Sequence, residues 1–203
     1  MNILWAYAHP KEAEGLELSQ SVLLGVGKVE ATLALTRRLS AETPDVVINF
    51  GVAGAFPGAG LEVGDVCLVT QETFADEGLV TKEGFEDLVA LKLADRASWS
   101  ADDAWTQRVA ALLGEVPQVR GTTVSTISGT DALAQAYADR VQPAVETMEG
   151  AAVARVCEAF AVPWVQLRSV SNRVGERSRG GWDLRLAKTG LHAAVQRVSG
   201  VQS

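Results

Sequence analysis

Apolar residues along the chain fall into short runs bounded by turn-forming residues, and the runs are of two kinds. One kind lacks a helical repeat and reads as strand: Met1–Ala8, the continuous apolar run Val46–Phe50, Val66–Thr70, the Thr- and Val-rich Val119–Ile127 and the largely apolar Pro163–Ser171. Runs of this length predict strands buried on both faces. Shorter strands are predicted at Leu23–Val26, ending on Gly25-Val26-Gly27, and at Val145–Met148. The other kind repeats at helical spacing. Lys28–Leu39 is rich in Ala and Leu, and Trp105, Val109, Leu112 and Leu113 share one face. Ala151, Ala152, Val153, Val156, Cys157 and Phe160 form a second stripe, and Leu191, Ala194, Val195 and Val198 a third. Ser100 with Asp102 and Asp103, and Ser128-Gly129-Thr130-Asp131, are N-terminal helix signals. Ala75–Gly84 carries neither pattern and is expected to be a surface loop.

Strands alternating with amphipathic helices predict one α/β domain over residues 1–203. Its expected core is a central mixed, largely parallel sheet flanked by helices on both faces. In such folds ligands gather at the carboxyl ends of the strands. That rule singles out His9–Glu12, Gly51–Gly54, Ser125–Gly129, Met148-Glu149 and Arg168–Asn172.

Charge and composition narrow the function. Acidic residues outnumber basic ones 25 to 18, for a net charge of −7, which argues against a nucleic-acid surface. The start Met1-Asn2-Ile3-Leu4-Trp5-Ala6 has no basic leader, and charges recur from Lys11 onward. A cytoplasmic protein without a membrane partner is therefore expected. Cys67 and Cys157 lie in apolar runs as small buried hydrophobes, and His9 and His192 are too few for a metal cluster. No metal or organic cofactor is expected.

Several residues could carry chemistry. Gly51-Val52-Ala53-Gly54 would let backbone N–H groups approach an anion or a water, but lacks the Gly-Lys-Ser/Thr ending of a phosphate loop. Taken alone it reads better as a tight strand-to-helix turn. Glu149, where a strand meets a helix, suits either a clamp on a sugar diol or a capping carboxylate. Glu12 alone would be an ordinary solvated charge. Arg168 sits in a run predicted to be buried, where its guanidinium needs a partner, and pairing with Glu12 around a water is one economical account.

Four segments together resemble a known family. Asn49-Phe50-Gly51-Val52-Ala53-Gly54, Gly64-Asp65-Val66, Val145-Glu146-Thr147-Met148-Glu149-Gly150-Ala151-Ala152 and Arg168-Ser169-Val170-Ser171-Asn172 follow the order and spacing of the purine nucleosidase and nucleoside phosphorylase superfamily. The branch resembled most is that of the futalosine hydrolases, menaquinone-pathway enzymes similar to methylthioadenosine nucleosidases. The chain departs from the pattern by being shorter after Gly15, where relatives carry a further strand pair.

The resemblance implies a nucleoside phosphorylase-like fold, a small-molecule nucleoside substrate and a homodimer or larger homo-oligomer. It casts Glu12 as the base for a water that Arg168 orients. Glu149 would hold the ribose hydroxyls and Met148 would pack on the sugar, with Gly51 and Val52 below it. Thr126–Gly129, including Ile127 and Ser128, would contact the base, with Ile127 where relatives stack an aromatic ring.

Asn172 stands where adenine-specific members carry aspartate. An amide offers hydrogen-bond donors, and 6-oxopurines present N7 and O6 as acceptors, so Asn172 favours a hypoxanthine leaving group. By turning, the same amide can also pair with adenine. Futalosine carries a 5′ arm ending in a benzoate. Arg173, Arg177, Arg179 and Trp182 form a basic and aromatic cluster that could meet such an arm, or a solvated loop with Trp182 packed inward. A phosphorylase would need several phosphate donors, and Val52 brings no hydroxyl. A methylthioadenosine-type nucleosidase, a phosphate-dependent phosphorylase and a non-catalytic nucleoside sensor are the rivals.

Overall fold

A computed structural model of the chain describes residues 2–176 and 181–200. The first half runs β1 (Ile3–Tyr7), α1 (Pro10–Ala13), β2 (Ser21–Leu23), α2 (Lys28–Ala41), β3 (Val46–Ala55) and β4 (Val66–Phe74). A small hairpin of β5 (Gly78–Val80) and β6 (Phe85–Asp87) follows, then β7 (Ser98–Ser100) and α3 (Asp103–Leu113). The remainder is β8 (Gln118–Thr123), α4 (Asp131–Val141), β9 (Val145–Thr147), α5 (Gly150–Ala159), β10 (Trp164–Arg173) and α6 (Leu184–Ser199). Among the described residues no helix is long and apolar enough to cross a membrane.

The main sheet is mixed and closes on itself. Its order is β10-β4-β8-β9-β3-β1-β2, and β10 also pairs with β3, which joins five strands into a barrel-like ring. β1 with β2, β1 with β3, β10 with β3, β4 with β8 and β8 with β9 are parallel, whereas β10 with β4, β3 with β9 and β4 with β7 are antiparallel. The expected mixed sheet between helices is present, but three of its eight strand pairings are antiparallel, so it is less parallel than expected, and it closes into a ring. The cause is the length of β3 and β10, each of which pairs with more than one neighbour.

Helices cover both faces. Leu4, Ala6 and Val47 pack with Ala31, Leu35, Leu39, Val153 and Cys157 from α2 and α5. Ile3, Trp5, Ile48 and Phe50 point the other way, to Val109 and Leu113 of α3 and Leu191, Val195 and Val198 of α6. This is the period-2 alternation of a strand buried on both sides.

Two local expectations change. Gly51-Val52-Ala53-Gly54 is not a turn, because β3 continues to Ala55 with β10 and β9 on its flanks. The second strand lies at Ser21–Leu23, ahead of Gly25 and Gly27, whose φ values of 83° and 93° turn the chain into α2. Within Ala75–Gly84, Gly78–Val80 forms an exposed strand of the small hairpin.

A layer of buried polar groups lies inside the main sheet. Glu72, fully buried on β4, accepts from Gln166 Nε2 at 2.6 Å and from Thr123 Oγ1 at 3.0 Å. Gln166 in turn accepts from Asn49 Nδ2 at 3.2 Å, while Thr123 Oγ1 accepts the N–H of Ala151 at 2.7 Å. The start of α5 is therefore tied to the sheet through Glu72. A Cβ on Gly150 would stand 2.1 Å from Glu72 Oε1, so only glycine lets the helix start this close.

Burial pushes the Glu72 carboxyl from the usual 4.5 up to about 7, against the lowering effects of Gln166, Arg168 and Thr123. Between those two values the folded chain holds a proton that the unfolded chain has released, so stability falls as pH rises through that window. Glu72→Gln removes this contribution, which is bounded by about 3 kcal/mol above neutral pH. Urea titrations of both proteins below and above the window should show a larger loss in the wild type. An equal change in both would contradict the assignment.

Candidate active site

Glu12 is positioned by its own short helix. His9 is the N-cap of α1 and Pro10 opens it. The His9 ring accepts from Lys11 N–H while Glu12 returns Oε2 to the N–H of His9 at 3.0 Å, a capping box. Oε2 also accepts from Ala8 N–H at 3.0 Å, and Oε1 accepts from Val52 N–H at 3.0 Å. His192 of α6 pins the Glu12 carbonyl at 2.8 Å. A carboxylate has about four acceptor positions, and three are filled, so the remaining one is on Oε1.

That oxygen faces Arg168. Arg168 pairs in register with Gly51 on β3 and with Cys67 on β4, and is 1% exposed. Its Nε and Nη2 have no hydrogen-bond partner. A Cβ built on Gly51 would lie 2.4 Å from Arg168 Nη1 and 2.5 Å from Glu12 Oε1, so both side chains occupy the space that this glycine leaves open. Beside Arg168, burial pushes the Cys67 thiol up to about 12, which makes it a core residue rather than a nucleophile.

Glu149 is the N-cap residue of α5, but its side chain makes no cap to that helix. It reaches across to Gly27, whose N–H it accepts through Oε1 at 2.8 Å. Gly27 has a φ of 93° and begins α2, so a positive-φ glycine presents this donor. Burial raises the Glu149 carboxyl above the usual range, opposed by Arg168 and the Gly27 N–H and reinforced by Glu12.

Asn172 follows a β-bulge. Val170 pairs with Ala53 and Asn172 with the next residue, Gly54, so Ser171 is the extra residue. Ser171 Oγ donates to Asn172 Oδ1 at 2.7 Å, and Asn172 Nδ2 donates to Arg173 O at 3.1 Å, leaving one amide N–H uncommitted.

A cavity of about 280 Å³ brings together His9, Glu12, Val52, Met148, Glu149 and Asn172, with Ile127 and Trp182 on its wall. Gly51 and Arg168 lie just behind Glu12. Ser128 is buried, and its N–H and hydroxyl are both held by Glu146. Arg173 is not among the lining residues; it is exposed and bonds both oxygens of Glu62, at 2.7 and 2.6 Å. Arg177 and Arg179 lie outside the described residues. Ser171 falls within the singled-out Arg168–Asn172, whereas Glu146, which also lines the cavity, carries no role in the sequence analysis. An acid within a predicted strand was the available signal for Glu146. Its carboxyl is raised by burial, opposed by its bonds to Ser128.

A sheet closed by β3 and β10, with two glutamates just beyond its strand ends and a buried arginine within β10, defines a class. The family model of the phosphorylase superfamily matches residues 20–201, and the chain belongs to that family. It is 38% identical over 179 residues to a futalosine hydrolase of Thermus thermophilus, covering 86% of this chain and 78% of the relative. It is 33% identical over 181 residues to a 5′-methylthioadenosine/S-adenosylhomocysteine nucleosidase of Shewanella piezotolerans, covering 86% and 77%. The fold is shared with the Streptococcus pneumoniae MTA/SAH nucleosidase solved with 8-aminoadenine, at a TM-score of 0.82 and 19% identity over 100% of this chain and 99% of the other. A futalosine hydrolase mutant of Helicobacter pylori superposes at a TM-score of 0.79, with 21% identity over 98% of each chain.

The space above Gly51 gives a direct test. Gly51→Ala forces a methyl group between Glu12 and Arg168 and is expected to cost about 1–3 kcal/mol, the usual cost of overpacking. A crystal structure of the variant should show Glu12 displaced from the Val52 N–H. A variant as stable as the wild type with that bond intact would contradict the contact.

Proposed function

We propose that the protein is a purine nucleosidase that hydrolyses the N-glycosidic bond of futalosine, releasing hypoxanthine and dehypoxanthine futalosine. The observation that carries this is the meeting of Glu12 and the incompletely partnered Arg168 above Gly51, at the back of a cavity that Asn172 also lines. Similarity to a futalosine hydrolase supports the choice of substrate.

Cleavage develops positive charge on the ribose and negative charge on the departing purine. A water between Glu12 Oε1 and Arg168 would attack C1′ while its proton passes to Glu12. The C1′–N9 electron pair leaves with the purine. Glu149 accepts hydrogen bonds from the ribose hydroxyls, Met148 packs on the sugar, and Asn172 donates its remaining N–H to the purine edge as charge builds there. Ile127 lies on the wall that meets the base, and Trp182 on the wall available to the 5′ arm.

Water is favoured over phosphate by the composition of the wall. Glu12, Glu146 and Glu149 line the cavity, and no Lys or Arg does so among the described residues. Three carboxylates repel a phosphate dianion, and Val52 brings no hydroxyl to bind one. A homo-oligomer belongs to the same proposal. Val26 at the cavity wall and Val29 on the first turn of α2 are exposed apolar side chains that a second copy would cover.

Release of hypoxanthine from futalosine and from inosine, with and without phosphate, tests the proposal. Phosphate-independent cleavage of futalosine is expected, whereas strict phosphate dependence would make the protein a phosphorylase. Glu12→Gln should lower turnover about 10²–10⁴-fold, or roughly 3–5 kcal/mol. Activity within a few-fold of the wild type would remove Glu12 from the role of base. Asn172→Asp should shift preference from 6-oxo toward 6-amino purines, because aspartic acid can protonate N7 and accept from the amino group. Unchanged relative rates on the two classes would refute the role given to the amide.

A further inference from the structure

The proposed chemistry leaves one acid of the cavity unused. Glu146 is buried on β9 and lines the same wall as Asn172. Alternation along the strand sends Val145 into an apolar cluster with Ala53, Ala55 and Val170, and turns Glu146 toward the cavity.

Strand register fixes its position relative to Asn172. Glu146 pairs with Gly54 of β3, and Gly54 pairs on its other side with Asn172 of β10. The three residues form a row across adjacent strands, so Asn172 and Glu146 stand about two strand spacings, ~9–10 Å, apart at their Cα atoms. The residue between them has no side chain. A Cβ at Gly54 would press on Val174 Cγ1 at 2.7 Å and stand 3.1 Å from Asn172 Nδ2. The glycine therefore keeps a notch open between an amide and a carboxyl group. The bulge at Ser171 completes the row, since an unbroken ladder would place Asn172 beside Ala55.

The hydrogen bonds of Glu146 define what it can still take. Oε1 accepts the Ser128 N–H at 3.0 Å and Oε2 accepts the Ser128 hydroxyl. Both oxygens act as acceptors, and a carboxylate used in this way has about two further acceptor positions. Such a group recognises a donor. Along one edge, a 6-oxopurine presents N7 and O6 as acceptors and then N1–H as a donor. A 6-aminopurine presents an amino donor at C6 and a bare acceptor at N1.

We infer that Glu146 is a specificity-determining residue that accepts the N1–H of a 6-oxopurine, across the Gly54 notch from the amide of Asn172. This rests on the reading of the cavity as a purine nucleoside site and adds to it a second, independent contact on the base. A 6-aminopurine in the same place sets its N1 lone pair against the carboxylate, leaving a buried acceptor unpaired.

Glu146→Gln is the test, because the amide keeps an acceptor for the Ser128 N–H while presenting N–H groups that suit N1 of adenine. Base release from futalosine and from its 6-amino analogue, and calorimetric binding of free hypoxanthine and adenine, are measured for both proteins. The 6-oxo to 6-amino ratio of kcat/KM is expected to fall at least about tenfold, with the binding ratio falling in parallel. Equal losses on both substrates, with the ratios unchanged, would show that Glu146 only holds the Ser128 segment and would overturn the inference. A wild type that binds hypoxanthine over adenine but cleaves neither futalosine nor its 6-amino analogue would defeat the hydrolase proposal. The inference would then stand if Glu146→Gln erased that binding preference. A wild type that binds neither base overturns both.

Discussion

The site depends on a buried arginine held next to a residue with no side chain. Arg168 lies between β3 and β4 with two of its nitrogens unpartnered, a state that costs free energy wherever nothing polar meets them. Gly51 makes that state usable, because the absent Cβ brings the guanidinium and the Glu12 carboxylate to one point. Closure of the sheet through β3 and β10 holds the two strands in register, so this contact is built into the ring rather than carried on a loop. Glu12 itself comes from a helix of four residues, fixed by a capping box and by His192 instead of by length.

Beneath this first layer lies a second that never reaches the cavity. Glu72, Gln166, Asn49 and Thr123 bond one another inside the sheet, and Thr123 carries the load to the N–H of Ala151. Glu149 sits two residues earlier and bonds Gly27 instead of capping α5. The helix start is thus held from below by the sheet, which leaves the Glu149 carboxylate free of capping and on the cavity wall. A buried network of this kind is stabilising only when its members are satisfied, and each of these four has a partner.

The principal strands and helices were legible because their apolar patterns are strong. The ends of β3 and β4 were not. β3 continues through Gly51-Val52-Ala53-Gly54, which lacks the β-branched run of its first half and imitates a turn. It remains a strand because β10 and β9 pair with it on both sides. β4 continues through Gln71-Glu72-Thr73, polar residues that the ladders to β7 and β8 keep extended. Closure by β3 and β10 is a long-range pairing with no local signal. Arg168 could be singled out because a charge in an apolar run needs a reason. Glu146 met the same criterion but lay beside the more conspicuous Glu149. The bulge at Ser171 has no signature in composition, so the alignment of Asn172 with Gly54 emerges only from the ladder.

Sheet register also explains how one fold can address the two ends of a nucleoside separately. Arg168 and Gly51 form one row across β10 and β3, and Asn172, Gly54 and Glu146 form another nearer the strand ends. Both rows contain a glycine on β3, and in both the missing side chain lets groups from neighbouring elements converge. In the proposed reaction the first row, with Glu12 and Glu149, would face the bond to be broken and the second would face the base. The bulge separates them, so Ser171 can shift the second row by one residue without disturbing the first. A change in base preference can therefore be made at the strand ends while Glu12 and Arg168 keep their geometry.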